Sequence, residues 1–309
     1  MRVALLFPGQ GAQHPGMLAA LPATPEVERT LEEASDTLGC DARTLDAADA
    51  LQATGPAQLA LLIVGVAAAR ALSAAGATPD VVAGHSVGAF SAAVAAGALD
   101  CADALRAVRL RGELMAQAYP AGFGLAALVG LTERRVERLV NEAGSAGPLF
   151  LANRNAPLQT VVAGSAAALD ALCALALRCG AKAERLAVAV PSHCPMMAPV
   201  AKELAAALAD VRFAPPQLAF ASSSRARLLT TPEQIRDDLA ANAARPVLWH
   251  DTTLLLQERG VRLFVQCPPG TVLSDLTQNA FACARSVAIA VSGLDSAAYL
   301  IRQENGGVG

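Results

Sequence analysis

The 309-residue sequence carries 24 Lys and Arg against 27 Asp and Glu, a formal net charge of −3, with 54% hydrophobic and 17% charged residues and a mean hydropathy of +0.40. This length supports one large domain or two smaller ones around a substantial core and excludes a stapled mini-protein, while the composition excludes disorder. With no basic cluster and only 4% aromatic residues, the chain has no electrostatic footprint for nucleic acid.

Val3–Phe7, closed by Pro8-Gly9, predicts a first buried strand; one basic residue before so short an apolar stretch does not make a signal peptide. The longest apolar run, LALLIVGVAAA at 59–69, is bounded by Gln58 and Arg70 and is shorter than the roughly 20 residues a bilayer requires. It predicts a buried helix over Leu59–Ala74, stopped near Gly76. Val81–Ala83 predicts a second buried strand closed by Gly84, followed by helices over Ala89–Ala96, stopped at Gly97, and Ala102–Ala118. Strands alternating with helices indicate an α/β domain with a parallel sheet. From Gly124 the rhythm changes to strand (GLAALVGL), helix from Thr132, strands (LFLAN and QTVVAG), helix from Ser165 to Gly180, and strand (RLAVAV). That β-α-β-β-α-β order predicts a ferredoxin-like subdomain over 124–190, inserted into a large domain made of 1–123 and 191–309. Thr231-Pro232-Glu233 predicts a later helix start, 261–267 a late strand and Thr271 the helix after it, with a frayed NGGVG tail. Seven cysteines, odd in number and without a CxxC pair, support neither a disulfide framework nor a zinc site and point to a reducing cytoplasm.

Gly84-His85-Ser86-Val87-Gly88, between strand and helix, has the pattern of a nucleophile elbow, a turn so tight that only glycine fits beside the serine. The helix that follows aims its N-terminal dipole and free amides at the hydroxyl. Of the four histidines, His193 lies in a loop beyond a predicted strand, where α/β folds collect catalytic side chains, and is the expected base. His85, adjacent to the serine, projects to another side and is expected to be structural; His14 and His250 are expected to be packed or surface residues. The amide of Val87 and a second one near Gln10, in the glycine-rich FPGQGAQ turn, are the candidates for an oxyanion hole. Helical projection of 103–117 puts Arg111 on one stripe with Ala104, Val108 and Met115, while Arg106, Arg109 and Glu113 face the other way. A guanidinium on an apolar face requires an anion, either a carboxylate of the protein or that of a substrate.

Together, FPGQGAQ, GHSVG, VRLRGELM, NAPLQTVVAG, VPSHCPMM, RPVLW and PPGTVL resemble, in order and over nearly the whole chain, the motifs of the malonyl-CoA:acyl-carrier-protein transacylase family. The resemblance implies an α/β-hydrolase-like domain carrying a ferredoxin-like subdomain. It implies Ser86 as acylated nucleophile, His193 as base, Arg111 as the seat of the malonyl carboxylate, and Gln10 and Val87 as oxyanion donors. Gln58 and Met115 match residues of the acyl pocket, and His85 is grouped with the substrate-binding residues. Asn242 falls where members often carry glutamine, and would orient the histidine directly or through its carbonyl, with Asp251 and Asp275 as alternative triad members. Ala89, where Gly-Glu commonly continues the elbow, together with the compact opening GMLAALPATPEVERTLEEAS and the stretch ALRAVRLRGELMAQAYPAGFG, makes the chain look more like the malonyl-transferring epsilon subunit of bacterial malonate decarboxylase. The implied partners are malonyl-CoA and an acyl-carrier protein bearing a phosphoribosyl-dephospho-CoA or phosphopantetheine thiol, with other malonate decarboxylase subunits, and the reaction calls for no cofactor or metal. The alternatives are the housekeeping transacylase of fatty-acid synthesis, a serine hydrolase or thioesterase, and a non-catalytic scaffold subunit.

Overall fold

The structure is a computed structural model that describes residues 1–119 and 121–306. Its strands are β1 (Val3–Phe7), β2 (Val81–Gly84), β3 (Phe123–Val129), β4 (Leu149–Ala156), β5 (Gln159–Ser165), β6 (Lys182–Arg185), β7 (Ala219–Ser222), β8 (Arg227–Leu229), β9 (Leu263–Gln266) and β10 (Arg285–Ala288). Six of them form one sheet in the order β10-β9-β1-β2-β7-β8, parallel except for the edge pair β7-β8. Every residue of β1, β2 and β9 is buried, as a parallel sheet covered on both faces demands. The register aligns Phe7 with Gly84, so the chain leaves β1 and β2 side by side at the sheet's carboxyl edge, where ligands of open α/β sheets collect.

The remaining strands form an antiparallel sheet in the order β4-β5-β3-β6, the ferredoxin-like arrangement. Helices Glu133–Ala143 and Ala166–Arg178 cover one face through Val136, Leu139, Leu169 and Leu172, which pack with Ala126, Leu128 and Val162 of the strands. The fold is thus an α/β architecture with a parallel sheet and a small antiparallel subdomain.

Helix Thr54–Ala74 is longer than its apolar run suggested and, at 21 residues, has the length and composition to cross a membrane. Most of it is buried in the main core, so its apolar character is that of a core helix. It crosses helix Cys101–Ala118 where Gly55 meets Gly112; a Cβ on Gly112 would lie 2.6 Å from the Gly55 Cα. The missing side chain at Gly112 is what allows the two helices to approach so closely.

Two expectations need correction. RLAVAV is not a strand: pairing with β3 ends at Arg185, and the amides of Val188 and Ser192 turn back to the carbonyls two residues earlier, 2.8 and 2.9 Å away. The alternating Val188 and Val190 are buried without a partner strand, because the segment curls through tight turns toward the large sheet. Asn305 and Gly306 belong to the final helix, Leu294–Gly306, and Asn305 Nδ2 donates to Thr78 O at 2.8 Å; the rest of the tail, 307–309, lies outside the described residues.

Candidate active site

Between β2 and helix Gly88–Ala95 the chain reverses within His85-Ser86-Val87, with Ser86 at φ 54°. That left-handed backbone is uncommon for a residue with a side chain and marks strain stored at a functional turn. The flanking glycines are obligatory: a Cβ on Gly84 would sit 2.1 Å from Ala89 N, and one on Gly88 would sit 2.3 Å from Phe7 O. The Pro8-Gly9-Gln10 turn presses against the elbow, since a Cβ on Gly9 would lie 2.6 Å from His85 O. Among the described residues, the amides of Val87 and Gln10 donate to no protein acceptor, leaving both available to a developing oxyanion.

His193, also left-handed at φ 64°, brings its Nε2 to 2.7 Å from Ser86 Oγ. Its Nδ1 faces two backbone carbonyls, Asn242 O at 3.1 Å and Arg245 O at 3.2 Å, and its amide donates to Ala243 O at 2.7 Å. Carbonyls only accept, so Nδ1 carries the proton and the bare Nε2 faces the serine hydroxyl. Burial, then the charge of Arg111 and the neighbouring His85 ring, hold the His193 pKa down to about 3, so the ring is neutral at physiological pH and its Nε2 is free to accept. Asp275 Oδ2 accepts instead from Thr271 Oγ1, and Asp251 is exposed; neither bonds to His193.

Arg111 projects from helix Cys101–Ala118 and is fully buried. Its Nη1 donates to Gln58 Oε1, and its Nη2 lies 3.4 Å from both Ser86 Oγ and Asn242 Oδ1, while Nε has no partner. Among the described residues no carboxylate pairs with it. Burial lowers its pKa to about 10, which still leaves it charged. The protein therefore surrounds a buried cation with neutral oxygens only, directly beside the candidate nucleophile. Gln58, fully buried near the start of helix Thr54–Ala74, donates through Nε2 to Gln10 Oε1 at 3.0 Å and toward Met115 Sδ at 3.6 Å. The Gly55–Gly112 crossing is what brings these two helices into reach of one another.

His85 lies on the other side of the serine, its Nε2 3.2 Å from Asn155 Oδ1 and its ring 5.5 Å from that of Trp249. Burial lowers its pKa to about 4. It lines a cleft of about 570 Å³ between the Pro8–Ala12 turn, the small sheet and helix Val272–Ala280. Asn153 and Asn155, two apart on β4 and so on one face, line the same cleft. His14 is exposed with Nδ1 near Pro15 O, and His250 stacks on Phe281 at 6.3 Å, both away from Ser86. Sequence reasoning missed the Ala243 and Arg245 carbonyls and Asn155; the first two are backbone groups without a residue-type signal.

Residues 4–298 match the acyl transferase domain family. The malonyl CoA-acyl carrier protein transacylase of Escherichia coli strain K12 is 39% identical over 282 residues, which span 89% of this chain and 91% of that protein. The crystal structure of the acyl-carrier-protein S-malonyltransferase of Burkholderia pseudomallei 1710b superposes with a TM-score of 0.91 at 37% identity, covering 97% of this chain and 100% of that one. A malonyl-transacylase solved in complex with a type II polyketide-synthase acyl-carrier protein superposes at 0.92 with 36% identity, again over 97% and 100%. The chain belongs to the acyl transferase family, among its malonyl CoA-acyl carrier protein transacylases.

Proposed function

We propose that the protein moves a malonyl group from malonyl-CoA, through an ester on Ser86, to the thiol of an acyl-carrier protein. The observation that carries this reading is the buried Arg111, unpaired with any carboxylate among the described residues and 3.4 Å from the Ser86 hydroxyl. A buried cation is costly without an anion, and a substrate ending in a carboxylate supplies one. With that carboxylate on the guanidinium, Ser86 Oγ attacks the thioester carbonyl while His193 Nε2 takes its proton. The amides of Val87 and Gln10 receive the oxyanion; its collapse breaks the C–S bond, and the proton on His193 leaves with the CoA thiol. The carrier thiol then repeats the steps in reverse, giving its own proton to His193 and regenerating the serine. Gln58, itself steadied by Met115 Sδ, holds the guanidinium, Asn242 serves the cation through its side chain and the base through its carbonyl, and His85 forms the wall facing the cleft.

For the acceptor, we infer the phosphopantetheine thiol of an ordinary acyl-carrier protein, in keeping with the relatives. The malonate decarboxylase carrier rests on Ala89 with the stretches 16–35 and 104–124, and the Ala89 side chain is buried in the main core. Intact mass after incubation with malonyl-CoA tests the reading: a gain of one malonyl group on the wild type and none on Ser86→Ala is expected. Rapid CoA release without lasting acylation would mark a hydrolase, and an unchanged mass a scaffold. Offering both carriers to the acylated protein separates the two acceptors, with faster transfer to the phosphopantetheine carrier expected.

A further inference from the structure

Strand β7 ends at Ser222, and Ser223-Ser224 lead into the turn before β8; all three serines are buried. Each hydroxyl has a specific use. Ser223 Oγ donates to Gly84 O at 2.7 Å, on the last residue of β2 and two residues before the nucleophile, while Ser223 O accepts from Leu248 N at 2.6 Å. Ser222 Oγ and Ser224 Oγ donate to one carboxylate oxygen, Asp238 Oδ1, at 2.8 and 2.6 Å, with Arg225 Nε 3.3 Å away.

Asp238 is 1% exposed and lies in the last turn of helix Pro232–Ala241. That is a poor place for it on stability grounds. The helix dipole disfavours a negative charge near a carboxyl end, burial of a carboxylate is costly, and its second oxygen, Oδ2, has no donor. The residues directly after this helix, Asn242, Ala243 and Arg245, supply the three carbonyls that hold His193. The bonds therefore close a ring. It runs from Ser86 through the elbow to Gly84 O, across Ser223 to its neighbours, through Asp238 into the helix, and out through Asn242 O to His193, which returns to Ser86.

We infer that Ser223 and Asp238 are positioning residues, which fix the separation of Ser86 and His193 by bolting the elbow and the histidine's carbonyl cradle to the same strand end. Neither touches substrate. The inference rests on the reading of Ser86 and His193 as nucleophile and base. β2 already pairs with β7, and Arg111 Nη2 reaches both Ser86 and Asn242; the ring adds a direct side-chain tie between the end of β2 and the 242–245 turn, which carry the two partners of the 2.7 Å contact.

Single-turnover acylation of Ser86 by malonyl-CoA, malonyl-CoA affinity and thermal unfolding are to be measured on the wild type, Ser223→Ala, Asp238→Leu, which removes the shared acceptor, and the double variant, with Ser86→Ala as control. Reaction with a serine-directed fluorophosphonate, which needs the dyad but not Arg111, provides a second rate. Both rates are expected to fall tenfold to about a hundredfold in each single variant, the order of loss that a displacement of about 1 Å at reacting atoms produces. Malonyl-CoA affinity should stay at the wild-type value, and the double variant should be no slower than the slower single one, because the ring is already open. Should Asp238→Leu fail to fold, Ser223→Ala decides alone. A lower melting temperature with rates within twofold of wild type, or losses that multiply in the double variant, would overturn the inference. If malonyl-CoA leaves the wild type unmodified while the fluorophosphonate labels it with the expected variant pattern, the malonyl reading fails and the ring stands. No labelling of Ser86 by either reagent overturns both.

Discussion

Replacing Gln58 by glutamate would set a carboxylate against the Nη1 of Arg111, where the amide oxygen now accepts, and so give the guanidinium the internal anion it lacks. A malonyl carboxylate gripped by both arms of the fork gains two charge-assisted hydrogen bonds, each worth about 1.5–3 kcal/mol. With the guanidinium charge already balanced by the glutamate, a gain equal to at least one such bond is lost, which corresponds to roughly a 10- to 150-fold fall in malonyl kcat/KM. Acetyl transfer has no carboxylate to lose. Gln58→Glu also removes the amide's donation to Gln10 Oε1 and Met115 Sδ, a loss common to both substrates, so the informative quantity is the malonyl-to-acetyl ratio of kcat/KM. That ratio should fall by the stated factor, measured with both thioesters on the same preparation. An unchanged ratio, with both rates equally lowered, would refute the idea that neutral neighbours keep Arg111 free for an acidic acyl group.

Protonation gives a second check. With the His193 pKa held down to about 3, kcat/KM should show no acid limb near the ordinary histidine value of about 6.5. The unfolded chain takes up this proton near pH 6.5 and the folded one refuses it until far lower pH, so this group's contribution to stability is lost as pH falls from about 6.5 toward 3, visible as a falling thermal midpoint. Arg111→Ala removes one of the causes of the depression and should move the acid limb upward. Gly112→Ala drives a Cβ to 2.6 Å from the Gly55 backbone. Overpacking of this kind costs roughly 1–3 kcal/mol. As the helices part where Arg111 meets Gln58, the melting temperature should fall and the KM for malonyl-CoA should rise.

Much of this architecture is legible because its signals are local. The elbow is a five-residue pattern enforced by sterics, and the burial of Arg111 follows from the helical phase of its neighbours. The first five elements of the small βαββαβ unit follow from where apolar runs begin and stop, whereas its last strand, Lys182–Arg185, is polar and mostly exposed and leaves no such trace. What is not legible depends on atoms without residue identity or on partners distant in the chain. Nothing in the residue types at 243 and 245 reveals that their carbonyls hold a histidine. Ser222-Ser223-Ser224 reads as an ordinary polar turn until Asp238 is seen packed against it. RLAVAV alternates as a strand should, yet alternation reports only which side chains are buried, and the neighbour that would have completed the pairing is not there.

One consequence of the carbonyls behind His193 concerns time. Two peptide oxygens hold the ring in a single tautomer without lending it a carboxylate's charge. A cysteamine-type thiol, near the cysteine value of about 8.5, releases its proton far more readily than water, at about 15.7, so the same base should discharge a loaded serine to a carrier faster than to solvent. The ester on Ser86 should therefore survive the interval between one carrier's departure and the next one's arrival, which slow hydrolysis of the acylated protein kept without carrier would show.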